Sequence, residues 1–205
     1  MLTKLKPEFQ KLITYLAQAF HKIGVKPNTI SFLGFISGVF SGIFYWVAGT
    51  LYVDLSAYRV YMSLALLLLM FSGFCDALDG ALARIHGEAT AFGGFLDSMI
   101  DRYVDSIVLL GLILGGLCDL IWGILALIGS LLTSYARARA ESAGITMESV
   151  GLVERAERII VISISSLVEI AFTPLYALRV GIIVLAIASN LTVVQRILYF
   201  YRRRP

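Results

Sequence analysis

An all-α integral membrane protein is the fold class this sequence predicts, with six transmembrane helices preceded by a cytoplasmic amphipathic juxtamembrane helix. Three observations carry that expectation. Of the 205 residues, 59% are hydrophobic and only 15% charged, more apolar surface than a water-soluble domain of this size can hide. Apolar runs at about 29–49, 60–78, 93–117, 120–135, 159–175 and 178–200 are separated by short polar stretches, and each is near or above the length that crosses a bilayer. Among the 17 lysines and arginines, six spans leave only Arg59 and Arg179 on the side opposite the termini. Basic residues concentrate in cytoplasmic loops, so both termini are expected there.

The elements follow in order. Before the first run, Phe9, Leu12, Ile13, Leu16, Phe20 and Ile23 recur at three- and four-residue intervals, with Glu8, Lys11, Gln18 and Lys22 between them. That spacing predicts a helix lying in the membrane surface over residues 1–26. Pro27 is expected to stop it, with Asn28 or Thr29 capping the first span. Residues 27–205 then form one membrane domain. The opening stretch from Met1 to Lys11 is polar and lysine-bearing, so no cleavable signal peptide is expected. Cys75 and Cys118 lie far apart in apolar stretches and are read as packing residues. The net charge of +3 describes a basic rim against anionic headgroups, and no soluble basic domain remains to bind nucleic acid.

The chemistry concentrates between Asp76 and Asp105, in the stretch DALDGALARIHGEATAFGGFLDSMIDRYVD. Asp76 and Asp79 are three apart, and Asp97, Asp101 and Asp105 are four apart, so on helices each set projects from one face. A short turn around 85–92 brings the two helix ends side by side, and four carboxylates converge. Like charges beside lipid are costly unless a cation neutralises them, and intramembrane acids are functional by default. An aspartate-only, all-oxygen set favours magnesium or manganese over zinc. Four carboxylates can hold two such ions when some of them bridge, an arrangement suited to displacement at phosphorus. The blander reading is that Arg84 and Arg102 merely neutralise these acids. Gly80, Ala83, Gly93 and Gly94 lie on or beside the acidic faces, where a side chain would block a ligand or a neighbouring helix.

The pattern Asp76-x-x-Asp79-Gly80-x-x-Ala83-Arg84, eight residues, then Gly93-x-x-x-Asp97-x-x-x-Asp101 resembles the motif of the CDP-alcohol phosphotransferases without departure in type or spacing. The resemblance extends to the architecture, because that family has a cytoplasmic surface helix followed by six spans. It implies that Asp76 and Asp97 bridge two Mg2+ ions (or Mn2+), that Asp79 completes the first site, and that Asp101 completes the second and is the general base. It also implies that Gly80, Arg84 and Thr90 meet the CDP moiety, joined by Asn28 and Thr29. A homodimer is expected on the same ground. Asp105 lies outside the motif and is left without a role.

A second polar set, Tyr135-Ala-Arg137-Ala-Arg139-Ala-Glu141, Glu154-Arg155-Ala-Glu157-Arg158 and Gln195-Arg196, falls at the cytoplasmic ends of the last three spans. Positive-inside bias explains loop arginines, but less well their repeated pairing with glutamates, which would aim guanidinium groups at a phosphate. The set is similar to that of family members whose acceptor is inositol phosphate. There, residues matching Arg137, Arg158 and Arg196 line the acceptor-phosphate pocket, the first being commonly lysine. Arg139 and Arg155 are then expected to brace neighbouring helices through Glu141, Glu154 and Glu157.

The resulting expectation is transfer of a phosphatidyl or archaetidyl group from a CDP-activated lipid to inositol phosphate, with release of CMP, at the cytoplasmic face of the membrane. Glycerol phosphate as acceptor, or a CDP-inositol donor giving a di-inositol phosphate, are alternatives within the family. A cation transporter is the alternative outside it, weakened because the acids occupy one hairpin near one face and have no counterpart in the last three spans.

Overall fold

The computed structural model describes the backbone of residues 2–87, 90–147, 150–173 and 176–203, and their side chains except those of residues 2–10 and His86. The side chains of Glu8 and Phe9, and Arg204, therefore lie outside the described residues. The described residues form seven helices: α1 (Leu2–Lys22), α2 (Pro27–Thr50), α3 (Leu55–His86), α4 (Ala91–Leu114), α5 (Leu120–Ser142), α6 (Arg155–Ala171) and α7 (Ala177–Arg203).

Four of these helices, α2, α3, α5 and α7, are long and apolar enough to cross a membrane, which makes the chain a multi-pass membrane protein. The other two central helices are more polar or shorter. Helix α4 carries Asp97, Asp101, Arg102 and Asp105, and α6 has 17 residues, roughly 26 Å at 1.5 Å per residue. Phe32, Phe40, Leu67, Leu132, Val184 and Leu191 face outward, as side chains solvated by lipid do.

Several helices outrun the apolar runs that announced them. Helix α3 continues through Asp76, Asp79 and Arg84, α5 through Arg137 and Arg139, and α6 begins at Arg155. Charge marks where the chain reaches polar surroundings, whereas a helix ends only where its hydrogen bonds do. Gly87, at φ +66°, terminates α3 in the left-handed conformation that favours glycine.

The expected cap of α2 is corrected. Lys26 is its N-cap and no side chain caps it, while Pro27 occupies the first turn. Proline has no N–H to leave unsatisfied there, so the residue expected to stop α1 also starts α2. Asn28 and Thr29 are exposed in that first turn.

Helix α2 packs along α3 and α4, α5 along α7, and α6 against α3 and α7. The α2–α4 contact is close because it is glycine on glycine. A Cβ at Gly42 would stand 2.6 Å from the Ile107 carbonyl oxygen, and one at Gly111 would collide with the Gly42 carbonyl. Helix α1 packs on the end of α3, where Ile13 and Ala17 are buried with Ile30, Leu78 and Leu82, while Leu12, Tyr15 and Ile23 are exposed.

Candidate active site

The hairpin of α3 and α4 brings the acids together. One carboxylate oxygen each from Asp76, Asp97 and Asp101 lie within 4.8 Å of one another. Asp79 lines the same cleft of about 200 Å³, with Ser31, Ser72 and Arg155, but it stands outside the tight trio. Its carboxylate accepts the hydroxyl hydrogen of Ser31 at 2.5 Å, and the residue is 6% exposed. Helix α2 thus closes the third side of the cleft with Ser31, which the sequence reading did not single out.

The local sequence explains the convergence. Thr90 caps α4, its hydroxyl oxygen accepting the Gly93 N–H at 3.0 Å, so α4 starts six residues before Asp97, nearly two turns, and turns Asp97, Asp101 and Asp105 onto one face. Four residues, 87–90, separate α3 from α4, of which 88 and 89 lie outside the described residues.

Arginines enter this site from α6 rather than from the hairpin itself. The Nη1 of Arg155 stands 2.7 Å from Asp76 Oδ2 and 2.7 Å from Asp101 Oδ1, with its Nε 3.7 Å from Asp105 Oδ1. Arg158, from one turn further along α6, donates through Nε and Nη2 to Asp105 Oδ2 at 3.1 and 2.6 Å. Of the two arginines expected to neutralise the acids, Arg102 reaches Asp101 only at 3.6 Å and spends its Nη1 on the Ser98 carbonyl. Arg84 is exposed beside Gly80.

Two expectations about the arginines are therefore corrected. Arg155 does not brace a helix through a glutamate, and Asp105, left without a role, is the partner of Arg158. The glutamates are engaged otherwise: Glu141 with Arg137 at 2.8 Å, Glu154 with Arg196 at 3.3 Å, and Glu157 with the backbone N–H of Glu154 at 3.0 Å. The expectation for Arg139 is corrected in the same way, since its contact is with Ser142 of its own helix and not with a glutamate of a neighbouring one. The missed signal was charge balance: five aspartates on two short faces need more cations than Arg84 and Arg102 supply, and the pairs in 154–158 were the nearest candidates.

Arg137, Arg158 and Arg196 lie near enough for their charges to act on one another, but Arg158 and Arg196 are buried among protein partners. Arg137 lies beside Glu141 at the end of α5. Arg196 is 2% exposed and donates to the carbonyls of Val150 and Thr133 at 2.8 and 2.6 Å as well as to Glu154. It ties α5, α7 and the segment before α6 together, helped by Thr192, whose hydroxyl oxygen accepts the Leu152 and Val153 N–H groups, both at 3.1 Å.

The glycines beside the acids differ from those in the helix contacts. A Cβ at Gly94 would meet nothing within 4 Å, and one at Gly80 only the Arg84 side chain at 3.7 Å. Helix packing does not explain either.

A family model described as CDP-alcohol phosphatidyltransferase matches residues 25–194. The chain belongs to that family. It is similar to the archaetidylinositol phosphate synthase of Pyrococcus horikoshii, 38% identical over 200 residues and covering 96% of this chain and 95% of the relative. It is likewise similar to the archaetidylinositol phosphate synthase of Methanothermobacter thermautotrophicus, 39% identical over 203 residues, with 99% and 95% coverage. Among solved structures it resembles the phosphatidylinositol phosphate synthase of Mycobacterium tuberculosis with CDP-DAG bound, at a TM-score of 0.71 and 29% identity, covering 93% of this chain and 94% of that one. A structure of the same mycobacterial enzyme in complex with manganese and citrate matches at a TM-score of 0.70 and 29% identity, covering 92% and 88%.

The donor atoms of this phosphatidyltransferase suit a divalent cation. They are all carboxylate oxygens, three of them mutually within 4.8 Å, and the cation already placed between two of them is a guanidinium. Hard oxygen donors at this density match magnesium or manganese.

Proposed function

We propose that this CDP-alcohol phosphatidyltransferase moves the phosphatidyl or archaetidyl group of a CDP-activated lipid onto inositol phosphate and releases CMP. The observation that carries the reading is the meeting of Asp76, Asp97 and Asp101 in a cleft that α6 also lines with Arg155, while Arg158, one turn on, lines the neighbouring cavity beside Asp105. Relatives of nearly the same length named for archaetidylinositol phosphate synthesis support the choice of acceptor.

In this reading Asp76, Asp79, Asp97 and Asp101 would together hold two Mg2+ ions, Asp76 and Asp97 being shared between the sites, Asp79 belonging to one and Asp101 to the other. Bound ions supply charge neutralisation on the donor pyrophosphate. Asp101 takes the proton of the acceptor hydroxyl, whose oxygen forms a bond to the lipid-proximal phosphorus as the bond from that phosphorus to the CMP oxygen breaks. Gly80, Arg84 and Thr90, with Asn28 and Thr29, face the CDP moiety. The open space at Gly94, and a Gly80 bordered only by the Arg84 side chain, suit close approach of a nucleotide. Arg137, Arg158 and Arg196 serve the acceptor phosphate, Arg158 by sharing its guanidinium with Asp105.

The membrane arrangement belongs to the same proposal. Helices α2 to α7 form six spans, the polar α4 and the short α6 being shielded by their neighbours. Residues 1–26 are the juxtamembrane helix and 27–205 the membrane domain, both termini and the cleft face the cytoplasm, and the protein works as a homodimer. Helix α1 suits its place because it has an apolar side on α3 and a second apolar side facing out.

Release of CMP from two donors, CDP-diacylglycerol and CDP-archaeol, against inositol phosphate, glycerol phosphate and inositol in detergent tests the reading. Activity with inositol phosphate is expected. Activity with glycerol phosphate alone would transfer the site to a different acceptor.

A further inference from the structure

Two arginines of α6 meet the aspartates, and they do so in different ways. Arg158 makes two directed hydrogen bonds to Asp105. Arg155 lies against more carboxylates, yet its Nε and Nη1 are buried without any partner in hydrogen-bond geometry, although Nη1 is 2.7 Å from both Asp76 and Asp101. Such a guanidinium balances charge without being latched.

The backbone that carries it is held independently of that contact. Arg155 is the first residue of α6, and the segment ahead of it is tied down by Arg196 on Val150 and by Thr192 on Leu152 and Val153. Glu157 secures the N–H of Glu154. The side chain can therefore swing while the chain stays in place. A second resting partner is already near, since Asp105 Oδ1 is 3.7 Å from Nε.

We infer that Arg155 is a resident counter-cation of the acidic site, which holds Asp76 and Asp101 together in the metal-free enzyme and must be displaced toward Asp105 when a divalent ion binds. A dication on those two carboxylates and a guanidinium within 3 Å of the same groups repel strongly, because charge interactions scale inversely with distance and are weakly screened inside a helix bundle. One of the two must leave, and the arginine is the one without directed bonds. Arg155 is thus a positioning residue whose charge keeps the aspartates assembled before loading, at the expense of metal affinity. The inference rests on Asp76, Asp97 and Asp101 being the metal ligands.

Mn2+ binding to the full-length protein in detergent, read by electron paramagnetic resonance of free Mn2+, and thermal midpoints in EDTA test it on wild type, Arg155→Gln and Arg155→Lys. Arg155→Gln is expected to bind Mn2+ about tenfold more tightly or better, and to melt lower than wild type in EDTA. Arg155→Lys, which keeps the charge but not the planar reach of the guanidinium, is expected to fall between the two in both measurements. Should Arg155→Gln not fold, tighter binding in Arg155→Lys than in wild type supports the inference by itself. Wild type that binds Mn2+ together with variants that bind it equally or more weakly would overturn the inference and leave the metal reading standing. Wild type that binds no Mn2+ would overturn both.

Discussion

Arg158 and Asp105 form a two-point ion pair between α6 and α4, with Nε and Nη2 donating to the same carboxylate oxygen at 3.1 and 2.6 Å. Their side chains are 6% and 11% exposed. Removing one partner of a buried pair strands the other charge, a loss of about 3–5 kcal/mol. Asp105→Ala is therefore expected to lower the thermal midpoint in detergent by several degrees, with Asp105→Asn less harmful because its amide oxygen can still accept. An unchanged midpoint in both variants would mean that Arg158 finds another partner.

Arg196 is expected to be a structural clamp as well as a contact for the acceptor. Arg196→Gln loses donors to Thr133 and Val150 that join α5 to the segment before α6, so stability and the KM for inositol phosphate should suffer together. Loss of one charged phosphate contact raises KM roughly ten- to hundredfold. Arg179→Gln is the control: Arg179 lies over the Tyr176 ring, 5.0 Å from its centroid, at the opposite end of α7. Steady-state kinetics on both variants separate the cases, and equal effects would break the six-span arrangement.

Gly42→Ala and Gly94→Ala should behave in opposite ways. The first drives a Cβ into the Ile107 carbonyl at 2.6 Å, where α2 and α4 touch, and the second meets open space. Overpacking costs about 1–3 kcal/mol or more, whereas alanine for glycine within a helix gains roughly 0.5–1 kcal/mol. Melting curves should show Gly42→Ala destabilised and Gly94→Ala intact. Loss of CDP-donor binding in the stable Gly94→Ala protein would then identify that space as part of the donor surface.

Ser31→Ala removes the one hydrogen bond that the described residues give to the Asp79 carboxylate from another helix. A hydrogen bond to a charged group contributes about 1.5–3 kcal/mol, so the metal-free protein should melt lower. Donor binding in magnesium, followed by calorimetry, should weaken less than in Asp79→Ala. A larger effect from Ser31→Ala than from Asp79→Ala would make the hydroxyl, and not the carboxylate, the functional group.

Much of this organisation was legible in the sequence because membrane burial and helical periodicity leave strong patterns. The apolar runs located α2 to α7 to within a few residues, except where charged turns prolong α3, α5 and α6. The three- and four-residue spacings of the aspartates located the cluster, since a helical hairpin leaves few other arrangements for Asp76, Asp97 and Asp101. The partners of the arginines were not legible. Whether Arg155 turns toward Glu154 or Asp76 depends on how α6 rotates against α3 and α4, which residues 154–158 do not encode by themselves. Ser31 was hidden for a similar reason: a serine on an apolar helix gives no sign of which acid will approach it.

Product formation in the presence and absence of inositol phosphate, followed by 31P NMR with CDP-lipid, Mg2+ and the purified protein, tests the central claim most directly. A new lipid phosphodiester resonance appearing in step with CMP, only when both inositol phosphate and Mg2+ are present and not with Asp101→Asn, is the result predicted. A phosphodiester formed equally well by Asp101→Asn, or CMP released without any acceptor-dependent lipid product, would contradict it.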